Sequence, residues 1–253
     1  EQSTGDSFRF VEVGASLGGC SWRVLTSNDR AFALAVEPYK PAADAMRRTA
    51  FENGLADRFT ISESFVSTNS TCPRVVRVGF AHEFVDQDEL KQVDATHVVE
   101  HDCQTATLAD ILNRWSNATV DLLQIHVDGF EMDVLRSAAE NLHKIKTLAI
   151  SMWTYRDFPQ AYDPAAIIQL LLDSGCTARL HCLCVQPRKS MLPEMKELHN
   201  QEVVSALTKS EILTRETMTL MAFCGEKCKD LQSKICLNTT VIHCDFCFWG
   251  FMG

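Results

Sequence analysis

The chain has 253 residues and a mass of 28.4 kDa, the size of one large α/β domain or one domain with an appendage. Hydrophobic residues make up 46% and charged residues 23%, which excludes a disordered chain, and no apolar run reaches the roughly 18 residues that span a bilayer. The net charge of -9 implies no basic surface and argues against nonspecific binding to nucleic acid.

Phe8 to Val13 is an apolar run closed by Gly14 and reads as a buried strand. Ala15 to Cys20 is small and Gly-rich, with a helix starting near Gly19. Ala31 to Val36 is the second buried strand, closed by Glu37. Pro38 and Pro41 open a helix through Ala45, Met46 and Ala50, because proline suits a first helical position, and Gly54 stops it. Phe59 to Ser64 is a third strand, and residues 66 to 95 read as a strand plus loop, an excursion over the site. Leu108 to Trp115 is a short helix and Asp121 to Val127 the next buried strand, broken by Gly129. Val134, Leu135, Ala138, Ala139 and Leu142 lie at helical spacing over Glu131 to Leu142. Thr147 to Trp153 is a strand, Asp163-Pro164 caps a helix ending at Gly175, and Thr177 to Val185 is a strand again. A polar insertion at 187–215 precedes the last strand, Thr217 to Phe223.

Strands alternating with helices predict a mostly parallel sheet covered on both faces. The last two strands lack a good helix between them, which suits antiparallel pairing at one edge. The division is one domain over 1–224 and a Cys-rich tail over 225–253. The chain opens at Glu1 without Met, as a trimmed sequence or a fragment would.

Eleven cysteines are many for a cytosolic enzyme. Three sequons, at Asn69, Asn117 and Asn238, exceed the one or so expected by chance. Together they point to a secretory lumen or the extracellular space, with the cytoplasm as the alternative. In the tail, Cys224, Cys228, Cys236, His243, Cys244 and Cys247 have short spacings that suit zinc, but the Asn238 sequon among them favours disulfides. Phe246, Phe248, Trp249 and Phe251 would pack the tail onto the domain.

Ligands of open α/β sheets bind beyond the carboxyl ends of the strands. Three features fall there: the loop Gly14-Ala15-Ser16-Leu17-Gly18-Gly19, the acid Glu37, and the turn His126-Val127-Asp128-Gly129. Small residues admit close approach of a ligand, and a carboxylate after the second strand can accept both ribose hydroxyls of an adenosine. Ser16 stands where a dinucleotide fingerprint wants its second glycine, which disfavours a nicotinamide dehydrogenase.

The segments VEVGASLGG at 11–19, AVEP at 35–38, NGL at 53–55 and DLLQIHVDGFEMDVL at 121–135 resemble the FkbM-type methyltransferases of the class I S-adenosylmethionine-dependent fold. The resemblance covers roughly residues 8 to 185. It implies a Rossmann-like seven-stranded, mostly parallel sheet with helices on both faces and an antiparallel last strand. It implies S-adenosylmethionine as cofactor and methyl transfer, mostly to hydroxyl oxygens of sugars or natural products. Carried over residue by residue, it assigns cofactor binding to Glu12, Gly14, Ala15, Ser16, Gly18, Glu37 and Pro38. Where the family commonly has KIDVEG, this chain has Gln124-Ile125-His126-Val127-Asp128-Gly129.

Methyl transfer to an alcohol needs alignment and a base of near-neutral pKa. His126 is the expected base and Asp128 its partner, against the alternative that His126 only packs the turn. His97, His101 and Asp102 would face the acceptor, and Trp153 would wall its pocket. The expected acceptor is a glycan or small metabolite, with no nucleic acid and no membrane span. The second reading is a non-catalytic binding or scaffold protein with a degenerate site.

Overall fold

The computed structural model describes residues 7–70, 72, 74–78, 81–85, 98–99, 103–116, 118–127, 129–152, 164–181, 197–199 and 218–223. In chain order the elements are β1 (Phe8–Val13), α1 (Gly19–Ser27), β2 (Ala31–Val36), α2 (Lys40–Glu52), β3 (Phe59–Ser62), β4 (Phe65–Val66), β5 (Arg74–Val78), β6 (Ala81–Val85), β7 (Val98–Val99) and β8 (Thr105–Ala106). There follow α3 (Leu108–Trp115), β9 (Val120–Ile125), α4 (Glu131–Ser137), a 3₁₀ turn (Ala139–Lys144), β10 (Ile145–Met152), α5 (Pro164–Asp173), β11 (Thr177–His181), β12 (Glu197–His199) and β13 (Met218–Phe223).

The main sheet has the order β12-β11-β13-β10-β9-β1-β2-β3. Its five strands from β10 to β3 are parallel, and β13 lies antiparallel between β10 and β11. The described sheet thus holds eight strands where seven were expected. The extra strand, β12, comes from the insertion and pairs antiparallel with β11 at the edge.

Strand alternation sorts the core into two layers. Val11, Val13, Leu34, Val36, Leu123 and Ile125 point to one face and pack with Leu112, Leu135, Ile168 and Leu171 from α3, α4 and α5. Phe10, Ala31, Ala33 and Ala35 point to the other and pack with Leu25 of α1 and Met46 and Ala50 of α2. Small alanines on β2 let α1 and α2 lie close to the sheet. Arg58 locks this layer, donating from Nη1 to the carbonyls of Leu25, Asn28 and Ala31 at 3.0–3.4 Å.

Several boundaries differ from expectation for local reasons. The third strand ends at Ser62, and the chain restarts as β4, which pairs parallel with β8. The excursion carries more strand than expected: β5 pairs with β6 and β7 in a separate three-stranded sheet. The helix beginning at Glu131 stops at Ser137 and tightens into a 3₁₀ turn. The Ser137 hydroxyl donates to the Val134 carbonyl and accepts from Leu108 N–H, a back-bond that competes with the helical ladder.

Cys72 and Cys103 form a disulfide across the base of the excursion. Cys20 and Cys176 are also disulfide-bonded, so every cysteine among the described residues is oxidised. Closing a loop over 31 residues removes enough unfolded-chain freedom to stabilise the fold by about 3–4 kcal/mol. Among the described residues, no helix is long and apolar enough to cross a membrane, and no cluster of His, Cys, Asp or Glu could hold a metal. The domain boundary at 224, the tail and its cysteines lie outside the described residues.

Candidate active site

The sheet reverses direction of growth between β1 and β9. From β1 the chain builds outward to β2 and β3, and later returns to build β9 and β10 on the opposite side. The gap beyond the carboxyl ends of β1 and β9 is therefore the switch point at which such sheets bind ligands. The glycine loop leaves β1 there, and the His126 turn leaves β9 there. His126 N–H donates to the Val13 carbonyl at 2.9 Å, which pins the turn against the loop.

The loop is wound by three left-handed residues: Gly14 (φ 80°), Ser16 (φ 49°) and Gly18 (φ 76°). Gly14 and Ala15 both donate to the Val36 carbonyl, at 3.0 and 3.2 Å, tying the loop to the end of β2. A Cβ on Gly14 would lie 1.8 Å from the His126 carbonyl oxygen, so no side chain fits between the two halves of the site. Gly18 is buried on its side-chain side. That side faces Met46, Phe59 and Trp22 beneath the loop, and its backbone caps α1. Ala15 is likewise buried, in the layer of Phe10 and Leu25. Ser16 and Leu17 form the exposed crest.

Glu37 is buried, 6% exposed, at the end of β2. Its Oε2 accepts Ser16 N–H at 2.7 Å and its Oε1 accepts Tyr39 N–H at 2.9 Å. The carboxylate thus clasps the loop from one side and the start of α2 from the other. Pro38 is half-buried between these anchors.

Glu12 is buried in β1, opposite Gln124. Its Oε2 accepts the N–H and hydroxyl of Ser21 at 2.9 and 2.5 Å, which satisfies donors at the start of α1. Burial raises the Glu12 carboxyl above its ordinary value, while bonds from Ser21 and Cys20 and the charge of His126 pull it back. Val127 packs on the α3–α5 face with Ile125, and His126 lies electrostatically coupled to Glu12. The strand ends at Ile125, so His126 stands just beyond it rather than within it as expected. Asp128, His97, His101, Asp102 and Trp153 lie outside the described residues.

Sequence reading gave no site role to Ser62, Ser64, Phe65, Phe130 or Glu131. Ser62 accepts Glu37 N–H through its carbonyl, and its hydroxyl pairs with that of Ser64 at 3.2 Å. Phe65 packs edge-on against Phe130, with centroids 5.1 Å apart, joining β4 to the His126 turn. Glu131, 2% exposed, accepts Gly129 N–H at 3.2 Å and folds the turn back on α4. The available signal was position: Ser62 ends a parallel strand, and Glu131 follows the turn glycine.

This arrangement suits an adenosine ligand. Glu37 places a buried carboxylate at the switch point, the type of group that accepts the hydroxyls of a vicinal diol. Gly19, after the crest, has nothing within 4 Å of where a side chain would begin, so that approach is open.

Comparison with known proteins agrees with this architecture: the methyltransferase FkbM domain model matches residues 12–180, and the chain belongs to that family. A search of curated proteins found no match. Similar solved structures include the methyltransferase FkbM from Methylobacillus flagellatus KT, at 14% identity and TM-score 0.48, covering 86% of this chain and 44% of that one. Another is the human methyltransferase 10 domain containing protein, at 11% identity and TM-score 0.43, covering 88% and 74%. A third is the N-terminal domain of human METTL16 in complex with SAH, at 11% identity and TM-score 0.44, covering 88% and 63%. The chain spans less than half of the Methylobacillus protein.

Proposed function

We propose that this chain binds S-adenosylmethionine and transfers its methyl group to a hydroxyl oxygen of a glycan or small metabolite. The observation that carries the reading is Glu37. Membership of the methyltransferase family supplies the reaction class, and a buried carboxylate fixed at the switch point supplies the ribose partner. The backbone of Gly14 to Gly18 would hold the amino-acid end. When bound, the cofactor supplies an electrophilic methyl on a sulfonium.

The chain's own task is to align the acceptor oxygen and take its proton. His126 stands at the mouth, and its imidazole accepts the hydroxyl proton. Glu12, coupled to it from β1, favours the resulting imidazolium. Asp128 would orient the ring from the same turn. The net charge of -9 weighs against a nucleic acid as acceptor. Oxidised Cys20, Cys72, Cys103 and Cys176 support a secretory lumen or the extracellular space as the setting.

The test is calorimetry with S-adenosylhomocysteine and NAD, followed by a product-release assay over pooled hydroxylated acceptors. S-adenosylhomocysteine binds and NAD does not, and Glu37→Ala weakens binding at least tenfold, about 1.4 kcal/mol. His126→Ala leaves binding intact and lowers turnover by about 100-fold, the range of a lost general base. Folded protein that gives no heat with S-adenosylhomocysteine overturns the reading. Binding without turnover on any acceptor favours the scaffold alternative.

A further inference from the structure

We infer that Asn69 is an N-glycosylation site whose glycan stands on the rim of the crevice. The inference rests on the lumenal setting proposed above. The sequence Asn69-Ser70-Thr71 is an acceptor sequon, and Asn69 sits in a bend just after β4. Ser67 is buried, and Thr68, Asn69 and Ser70 are all exposed. The Ser67 hydroxyl accepts Asn69 N–H at 3.0 Å, which turns the backbone outward. The Asn69 carboxamide makes no hydrogen bond among the described residues, so its Nδ2 is available to an enzyme.

The neighbourhood adds an independent observation. Cys72, three residues on, is bridged to Cys103, which fits a chain that matures where sequons are used. Phe65, four residues before Asn69, rests on Phe130 of the His126 turn. A glycan on Asn69 therefore grows from the segment that packs against the His126 turn at the crevice.

The co-reactant is an oligosaccharide carried on a lipid diphosphate. Asn69 Nδ2 forms a bond to the first sugar carbon, and the bond from that carbon to the diphosphate oxygen breaks. The lipid diphosphate leaves with the electron pair, and the amide proton passes to a base.

The test is peptide mapping of the protein isolated from its own cells. Peptide N-glycosidase in heavy-oxygen water converts an occupied Asn69 to labelled Asp, and a nonreducing map reads the Cys72–Cys103 bridge. The expected result is a labelled peptide at Asn69 together with the bridge. A bridged chain with bare Asn69 overturns the inference while the lumenal setting stands. Free thiols with bare Asn69 overturn both. In a secretory expression host, Asn69→Gln and Thr71→Ala each lose one glycan's mass on reducing gels, and Ser70→Ala, which keeps the sequon, loses none. Unchanged mass in both of the first two variants refutes the assignment independently of native material.

Discussion

Replacing Gly14 with alanine puts a methyl group into the seam that joins the two halves of the site. The new carbon would begin 1.8 Å from the His126 carbonyl oxygen and 2.8 Å from its carbonyl carbon. Both atoms are backbone, so no rotamer change relieves the clash, and the turn must retreat from the loop by more than about 1 Å. The retreat breaks the bond from His126 N–H to the Val13 carbonyl. Left-handed backbone costs alanine about 1–2 kcal/mol, overpacking about 1–3 and the lost bond about 1. The total of about 3–6 kcal/mol lowers Tm by roughly 6–24 °C for a domain of this size. Thermal and urea unfolding of purified Gly14→Ala measure it, with Gly19→Ala as control. Gly19 opens α1 with nothing within 4 Å, so alanine there changes stability by no more than about 1 kcal/mol, toward greater stability. Equal Tm for wild type and Gly14→Ala refutes the packing argument, and so does equal loss in both variants.

Two further outcomes are open to measurement. Burial raises the Glu12 carboxyl above its unfolded value of 4.5, so the unfolded state ionises first. This group's stabilisation is full below that value and is lost as pH rises through the folded pKa; Tm of wild type minus Tm of Glu12→Gln should fall as pH is raised above 4.5, and a rise reverses the sign of the argument. Arg58→Ala strips hydrogen bonds from the carbonyls of Leu25, Asn28 and Ala31 and should cost about 2–3 kcal/mol in urea unfolding, whereas a loss below about 0.5 kcal/mol would mean that solvent replaces the guanidinium.

How far the fold could be read ahead depended on where the information lay. β1, β2 and β9 were legible because strands buried on both faces are continuous apolar runs that glycine or an acid terminates. The excursion was not, because β5, β6 and β7 form a small separate sheet whose pairing is set between segments. The break at Ser137 was equally hidden, since the N–H that its hydroxyl accepts belongs to Leu108, 29 positions away. In the site, Glu37 was readable from its place after β2. Which small residues face the crevice and which pack beneath it was not, because Gly18 looks toward Met46 and Phe59 from other elements. Glu12 shows the same limit: the motif marks the acid, but only the fold reveals Ser21 as its partner.

The position of β13 has a consequence for how the chain is made. This strand is bonded on both sides, to β10 and to β11, although among the described strands it is the last in chain order. Until Met218–Phe223 emerges from the ribosome, β11 and β12 have no seam joining them to the parallel strands, and β10 remains an open edge of the kind that recruits other chains. Truncation ahead of Met218 would therefore do more than shorten the protein: it would detach one wing of the sheet and leave a nascent chain prone to aggregate.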